Sequence, residues 1–338
     1  MNRNKIYEFD IMRTIAAYAV IMIHVSAVAL SLYEPQSSLG IITFIFNRFL
    51  KFATPVFIYI SGVMVYIKYK KRDFSALPFF KDRAVRILIP YAVFTLFYYT
   101  ADAYFYGTGF TLKGIVQHLI FGTGKYHLYF IPIIMQMYLI TPALIKLRDK
   151  IAGRYAVILS FFVTLFTVMY VVFPYSDRVF VKYLFYYMMG VVFGDRILVW
   201  MNSRLKCMLA LAAAAAVGTL FVVLSPYDHR NVLWVMYTSV SVFSIFAASS
   251  LLKNVATVRS VSTRYAPISF YVYLVHPALL ALSDRILVVA GVSSISLRFL
   301  INALFTILTS SYISKYIVII KDMLMAKFTT PEKQAYSS

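Results

Sequence analysis

Ten stretches of this chain are each apolar over close to the length a helix needs to cross roughly 30 Å of hydrocarbon, and no other feature limits its fold so strongly. They fall near 11–33, 41–67, 87–106, 127–145, 155–173, 179–194, 207–224, 232–252, 267–290 and 297–320. A helix satisfies its own backbone hydrogen bonds inside lipid, where water cannot. The expected fold class is therefore all-α, a polytopic transmembrane bundle of about ten helices. The window 179–194 is short and carries Lys182, so eight or nine spans stand as the alternative.

Composition agrees with a bilayer as solvent. Hydrophobic residues make up 61% of the 338 positions and charged residues only 14%, whereas soluble domains run at about 45–50% and about 25%. The formal charge of +20 raises nucleic acid as a partner, yet the basic residues sit in short tracts between apolar runs, as loops on one side of a membrane do. Placing the N-terminus inside puts 24 of the 33 lysines and arginines on the inner side, which predicts an N-in, C-in topology. The single cysteine, Cys207, excludes an internal disulfide and a cysteine-based metal cluster. No small-residue cleavage site follows the first apolar run, so no cleavable signal peptide is expected. Residues 1–322 read as one transmembrane domain and 323–338 as a short, polar, mobile cytoplasmic tail. No repeat long enough to suggest an inverted-repeat transporter is visible.

Ionisable residues stand out against this background. Arg13 and His24 lie eleven residues apart in the first window, which at about 100° per residue brings them to one helix face about 16 Å apart. Asp10 lies one turn before Arg13 on nearly the same face. The line reads acid and base at the membrane edge, then Ala17 and Val20, then an imidazole near mid-membrane. Such groups are expensive in hydrocarbon and mark a functional site by default. A buried histidine hydrogen-bonded to a neighbouring helix is the plainer reading of His24.

A second basic group precedes the third window. Lys81, Arg83 and Arg86 fall on the inner side, and Arg83 and Arg86, three apart, share a helix face from which two guanidinium groups can grip phosphate oxygens. Taken singly, each is also an ordinary positive-inside residue.

Five motifs in order now resemble a known family. They are Arg13 with ten residues before His24, Pro55-Val-Phe57-Ile-Tyr-Ile-Ser61-Gly62, Arg83-Ala-Val-Arg86-Ile-Leu-Ile-Pro90, His127-Leu-Tyr129-Phe-Ile-Pro132, and Ile268-Ser269-Phe-Tyr-Val-Tyr273-Leu-Val-His276-Pro277. Each is loose alone, but together, from about residue 9 to about 277, they resemble the membrane acyltransferase-3 family. The resemblance implies a ten-helix protein of the bacterial cytoplasmic membrane that takes an acyl group, usually acetyl, from cytoplasmic acyl-CoA to a hydroxyl of a cell-envelope glycan or related acceptor. Two positions depart from the pattern: Tyr129 stands where the family often has tryptophan, and Thr14 where glycine often follows the arginine.

The first helix suits this chemistry. Coenzyme A carries phosphates at one end and a thioester at the other, so Arg13, Lys81, Arg83 and Arg86 are the candidate donor-binding residues, with the pantetheine arm along Ala17 and Val20. His24 is then either a general base on the acceptor hydroxyl or a nucleophile forming an acyl-imidazole. Ser269, Tyr273 and His276 lie at i, i+4 and i+7 on one face of the ninth window, so His276 can orient His24 or meet the acceptor. The His276-Pro277 pair can equally mark a kink. Asp10 more readily pairs with an arginine than transfers protons. His127, Tyr129, Tyr273 and Ser269 are the candidate acceptor-binding residues. His118 and His229 read as loop residues, Gln136 and Thr141 as polar lining or packing contacts, and Tyr183, Tyr186 and Tyr187 as interfacial anchors rather than sugar platforms. No histidine pair at metal-ligand spacing appears, and no metal is expected. The expected partners are membrane lipid, acyl-CoA and a glycan acceptor, without nucleic acid. The reading from another class is a glycan or lipid exporter with Arg13 and His24 lining the path.

Overall fold

The computed structural model of the chain describes residues 6–69, 74–150, 153–225 and 227–328, and its regular structure is helical throughout those residues. Nine helices among them are long and apolar enough to span a membrane. They are α1 (Tyr7–Leu30), α2 (Ser38–Tyr69), α3 (Ala76–Tyr106), α5 (Phe130–Arg148), α6 (Gly153–Tyr170), α8 (Arg204–Leu224), α9 (Val232–Leu252), α10 (Ala256–Val289) and α11 (Ile295–Met323). Two shorter helices join them, α4 (Leu112–Phe121) and α7 (Leu184–Phe193).

The expected tenth span is the one that differs. Over the window 179–194 a 3₁₀ turn, Phe180–Tyr183, leads into the ten-residue α7, which is too short to cross about 30 Å. Instead α7 is buried nearly from end to end and packs on α2. The tyrosines expected to anchor its end at an interface are core residues: Tyr186 and Tyr187 are fully buried, and their hydroxyls meet Thr238 Oγ1 at 2.6 Å and Thr141 Oγ1 at 2.7 Å. Thr141 is thereby a packing contact. Gln136 likewise holds the loop before α7, donating to the Arg178 carbonyl at 2.9 Å and accepting from the Phe180 N–H at 3.2 Å. At the other end of the chain the last helix continues past the expected domain boundary to Phe328. Positions 329–338 of the expected tail lie outside the described residues.

Prolines set the irregularities in the long helices. A proline cannot donate to the carbonyl four residues back, so the ladder must loosen there. Pro55 follows the 3₁₀ turn Leu50–Phe52, Pro90 follows the π-helical stretch Ala84–Leu88, and Pro267 lies inside the 3₁₀ turn Ala266–Ile268. Pro277 stays within α10 and frees the Tyr273 carbonyl. At the centre of the bundle α1 packs against α2, α9, α10 and α11. The ion pair of Lys253 with Glu8, at 2.7 Å, sets the junction of α9 and α10 at the end where α1 begins.

Candidate functional site

Three histidines from three segments meet near the far end of α1. With α1 running from Tyr7 to Leu30, His24 lies about 25 Å from the start of its helix and about 9 Å from its end. Its ring stacks on that of His276 of α10, with centroids 5.3 Å apart and planes 26° apart. His127, in the turn before α5, presents an edge to His276 at 5.2 Å.

The proline kink sets the tautomer of His276. The Tyr273 carbonyl that Pro277 leaves without its helical donor lies 2.8 Å from His276 Nδ1, with the Val272 carbonyl at 3.2 Å. A carbonyl only accepts, so Nδ1 carries the hydrogen and Nε2 presents its lone pair. His276 is fully buried, and neither its Nε2 nor either nitrogen of buried His127 has a hydrogen-bond partner among the described residues. Buried polar atoms are almost always bonded, and exceptions concentrate where chemistry is done.

The shell around the histidines has a clear division of labour. Tyr273 donates its hydroxyl to the His127 carbonyl and packs its ring 5.1 Å from that imidazole, so it holds His127 in place. Tyr98 adds a second edge at 5.5 Å while bonding the Leu274 carbonyl at 2.8 Å. Tyr129 bonds Thr54 Oγ1 at 3.1 Å. Ser269 does not join this group: its hydroxyl is turned back to the Ala266 carbonyl at 2.8 Å, about 10 Å down the helix from His276.

Two neighbours of His24 were not singled out from the sequence. Tyr126 lays its ring 4.4 Å from the His24 imidazole and remains 51% exposed. Lys51 lies within electrostatic range of His24. Lys51 follows the helical stretch Ser38–Phe49, and Asn47 ties that stretch to α1 by donating to Ile23 O at 2.9 Å and Ser26 Oγ at 2.8 Å. A free-standing lysine inside a predicted span was the available signal.

The basic group lies toward the start of α1. Arg13 is within electrostatic range of Asp10, Tyr138 and Arg83, so the two arginine-bearing segments converge as expected. Arg83 and Arg86 do not present one face, however. The π-helical stretch Ala84–Leu88 widens the turn between them, turning Arg83 inward and Arg86 outward. Arg83 is 15% exposed, lies 4.7 Å above the Tyr138 ring and 5.3 Å above Phe79, and leaves Nε without a partner. Arg86 is 69% exposed. Both still reach the Asp82 carboxylate, Arg86 Nε at 2.5 Å and Arg83 Nη1 at 3.9 Å, with Lys68 on the same group at 3.9 Å. One carboxylate thus gathers three cations where an anionic ligand would need them. Lys81 is exposed. Ala17 and Val20, the expected path between the two ends, are buried rather than facing an open groove.

The remaining histidines stand apart. His118 is on α4, not in a loop, and meets Thr123 Oγ1 at 2.7 Å, while His229 is an exposed loop residue. Among the described residues no group of three His, Cys, Asp or Glu side chains has the spacing to share a metal ion.

Comparison with known proteins covers nearly the whole of this architecture. The family model described as "Acyltransferase domain" matches residues 6–315. A protein of Staphylococcus aureus (strain MRSA252), named "Probable poly-beta-1,6-N-acetyl-D-glucosamine export protein", is 23% identical over 92% of this chain and 95% of its own length. A protein of Bacillus subtilis (strain 168), named "Putative membrane-bound acyltransferase YfiQ", is 24% identical over 92% of each chain. No solved structure matches.

Proposed function

The chain belongs to the acyltransferase-3 family, and from that membership we propose that it transfers an acyl group, acetyl by preference, from cytoplasmic acyl-CoA to a hydroxyl of a cell-envelope polysaccharide or lipid-linked glycan. The protein is a multi-pass membrane protein, and the proposed membrane is the bacterial cytoplasmic one. The observation that carries the reading is the separation of a cationic cluster from a histidine cluster along one helix. A donor with a charged head and a reactive tail needs both, and Arg13 and His24 stand about 16 Å apart on α1.

In this reading Arg13 and Arg83 hold the donor phosphates, and Arg86, with Lys81, guards the entrance. Asp82 is the internal anion that the phosphates displace. His24 takes the proton from the acceptor hydroxyl as that oxygen attacks the thioester carbonyl, and the coenzyme leaves as its thiolate. The same imidazole serves the two-step route, in which it first accepts the acyl group and then passes it on. His276 and His127 keep His24 in place. Tyr126 offers the acceptor sugar an aromatic face, and Tyr129, with Tyr273 behind it, lines the acceptor side. Asp10 holds Arg13 in position.

Donor binding supplies a direct check. Arg83→Ala should weaken acetyl-CoA binding to the purified protein by roughly tenfold or more, the loss of one charge-assisted phosphate contact, and Arg83→Lys should restore only part of it because lysine lacks the planar fork. Isothermal titration with unchanged affinity in Arg83→Ala would return this arginine to a topological role.

The export reading is favoured by the name that the Staphylococcus aureus relatives carry. The two separate cleanly. An acyltransferase consumes acetyl-CoA in the presence of acceptor and leaves surface glycans short of acyl groups when deleted, as mass spectrometry of the glycans reads out. An exporter moves glycan across proteoliposomes without coenzyme A release.

A further inference from the structure

The seam between the start of α10 and the later half of α11 carries features that acyl transfer does not use. A groove of about 990 Å³ opens there, lined by Arg264, Ile268, Leu308, Ser311, Tyr312 and Lys315 among others. That volume is at the upper end of what small-ligand sites enclose. Tyr18 of α1 stands behind it, with its hydroxyl 3.5 Å from Ser311 Oγ and its ring 6.1 Å from that of Tyr265.

Charge and depth are ordered along the groove. Counting from Ile295 at 1.5 Å per residue, Lys315 lies about 30 Å down α11, a full hydrocarbon thickness from its start, so its ammonium reaches the headgroup layer. Leu308 lies about 10 Å shallower, within hydrocarbon. Tyr312 and Tyr316, with rings 4.8 Å apart and both largely exposed, flank Lys315 as interfacial aromatics do. Arg264 and Lys315 are exposed, and among the described residues neither has a carboxylate partner. Ordinary positive-inside residues are scattered, whereas here two unneutralised cations and a serine hydroxyl face one apolar-walled groove.

We propose that this groove binds one anionic phospholipid of the surrounding membrane, its phosphate between Arg264 and Lys315 and an acyl chain along Ile268 and Leu308. Two cations attract the single negative charge of an anionic lipid's phosphate, whereas a zwitterionic lipid brings its own ammonium, which the same two cations repel. The site stands whether the protein transfers acyl groups or exports glycan.

The test uses the full-length protein in nanodiscs of four parts phosphatidylcholine to one part phosphatidylglycerol, with retained lipid read by native mass spectrometry after detergent release. One phosphatidylglycerol should stay bound in preference to phosphatidylcholine. The double variant Arg264→Gln, Lys315→Gln should hold it about 30-fold more weakly, two surface cations' worth of attraction. The swap Arg264→Lys, Lys315→Arg should keep it, as should Arg204→Gln, Lys206→Gln, which removes the same charge elsewhere. Equal retention in wild type and the groove variant would overturn the proposal. So would loss in both neutralised pairs, since that reports net charge alone, or displacement of the lipid by coenzyme A, which would give the groove to the donor.

Discussion

His24→Ala is expected to reduce acyl transfer by at least about 100-fold, the scale of a lost general base, while leaving the protein folded and present in the membrane. The half-buried ring stacks on His276 and packs by Tyr126. Its removal should therefore trim contacts rather than break a network. A lost nucleophile would be costlier still, and the two routes separate without kinetics. If His24 accepts the acyl group, wild type incubated with acetyl-CoA and no acceptor should carry one acetyl group on the peptide containing His24, by mass spectrometry, and the variant none. If His24 is a base, neither is labelled but the variant remains inactive with acceptor present. Turnover near the wild-type rate in a purified, monodisperse His24→Ala protein would end the assignment of catalysis to this imidazole.

Hydropathy reads out most of the fold because each span must satisfy the same solvent. Nine of the ten windows correspond to long helices. The failure at 179–194 has a physical reason: α7 is apolar because it is buried in protein, and a mean over a window does not distinguish neighbouring helices from lipid. Its tyrosines were misread on the same ground, since Tyr186 and Tyr187 find hydroxyl partners on other helices that no local pattern reveals. That Lys51 comes within electrostatic range of His24 follows from how α2 docks on α1 through Asn47, a long-range contact that spacing alone does not give.

The candidate site was legible where a regular helix carries it. The shared face of Asp10, Arg13 and His24 needs only the 3.6-residue repeat, and the structure keeps α1 unbroken from Tyr7 to Leu30. The same arithmetic misplaced Arg83 and Arg86, because a π-helical stretch changes the angle per residue just where Pro90 disturbs the ladder. Ser269 fell out for a different reason, its hydroxyl having a nearer acceptor in the Ala266 carbonyl, which also takes the Ser269 N–H in the 3₁₀ turn. The meeting of His24, His127 and His276 depends on long-range packing of α1, α10 and the turn before α5, which one sequence read alone does not contain.

The largest effect expected away from the histidines is at Gly190, where α7 and α2 touch backbone to backbone. A Cβ placed on Gly190 would stand 2.4 Å from the Tyr59 carbonyl oxygen and 2.7 Å from the Val63 nitrogen, and one on Gly62 would stand 2.3 Å from the Tyr187 carbonyl oxygen. Every one of those atoms belongs to a helix backbone, so no side chain can swing aside and the helices must part. Close approach through small residues is how membrane helices associate, and overpacking a filled interior costs about 1–3 kcal/mol, with backbone clashes at the upper end. Gly190→Ala should lower the unfolding temperature of the detergent-solubilised protein and its abundance in the membrane. The disturbance should also reach the donor end, because Tyr187 beside Gly190 bonds Thr141 and packs 6.4 Å from Tyr138, the ring under the Arg83 guanidinium. Gly109→Ala, with nothing within 4 Å of its Cβ, is the matched control and should be silent. If Gly190→Ala and Gly109→Ala melt alike and bind acetyl-CoA alike, α7 is not held against α2 as closely as the structure shows, and Arg83 does not depend on it.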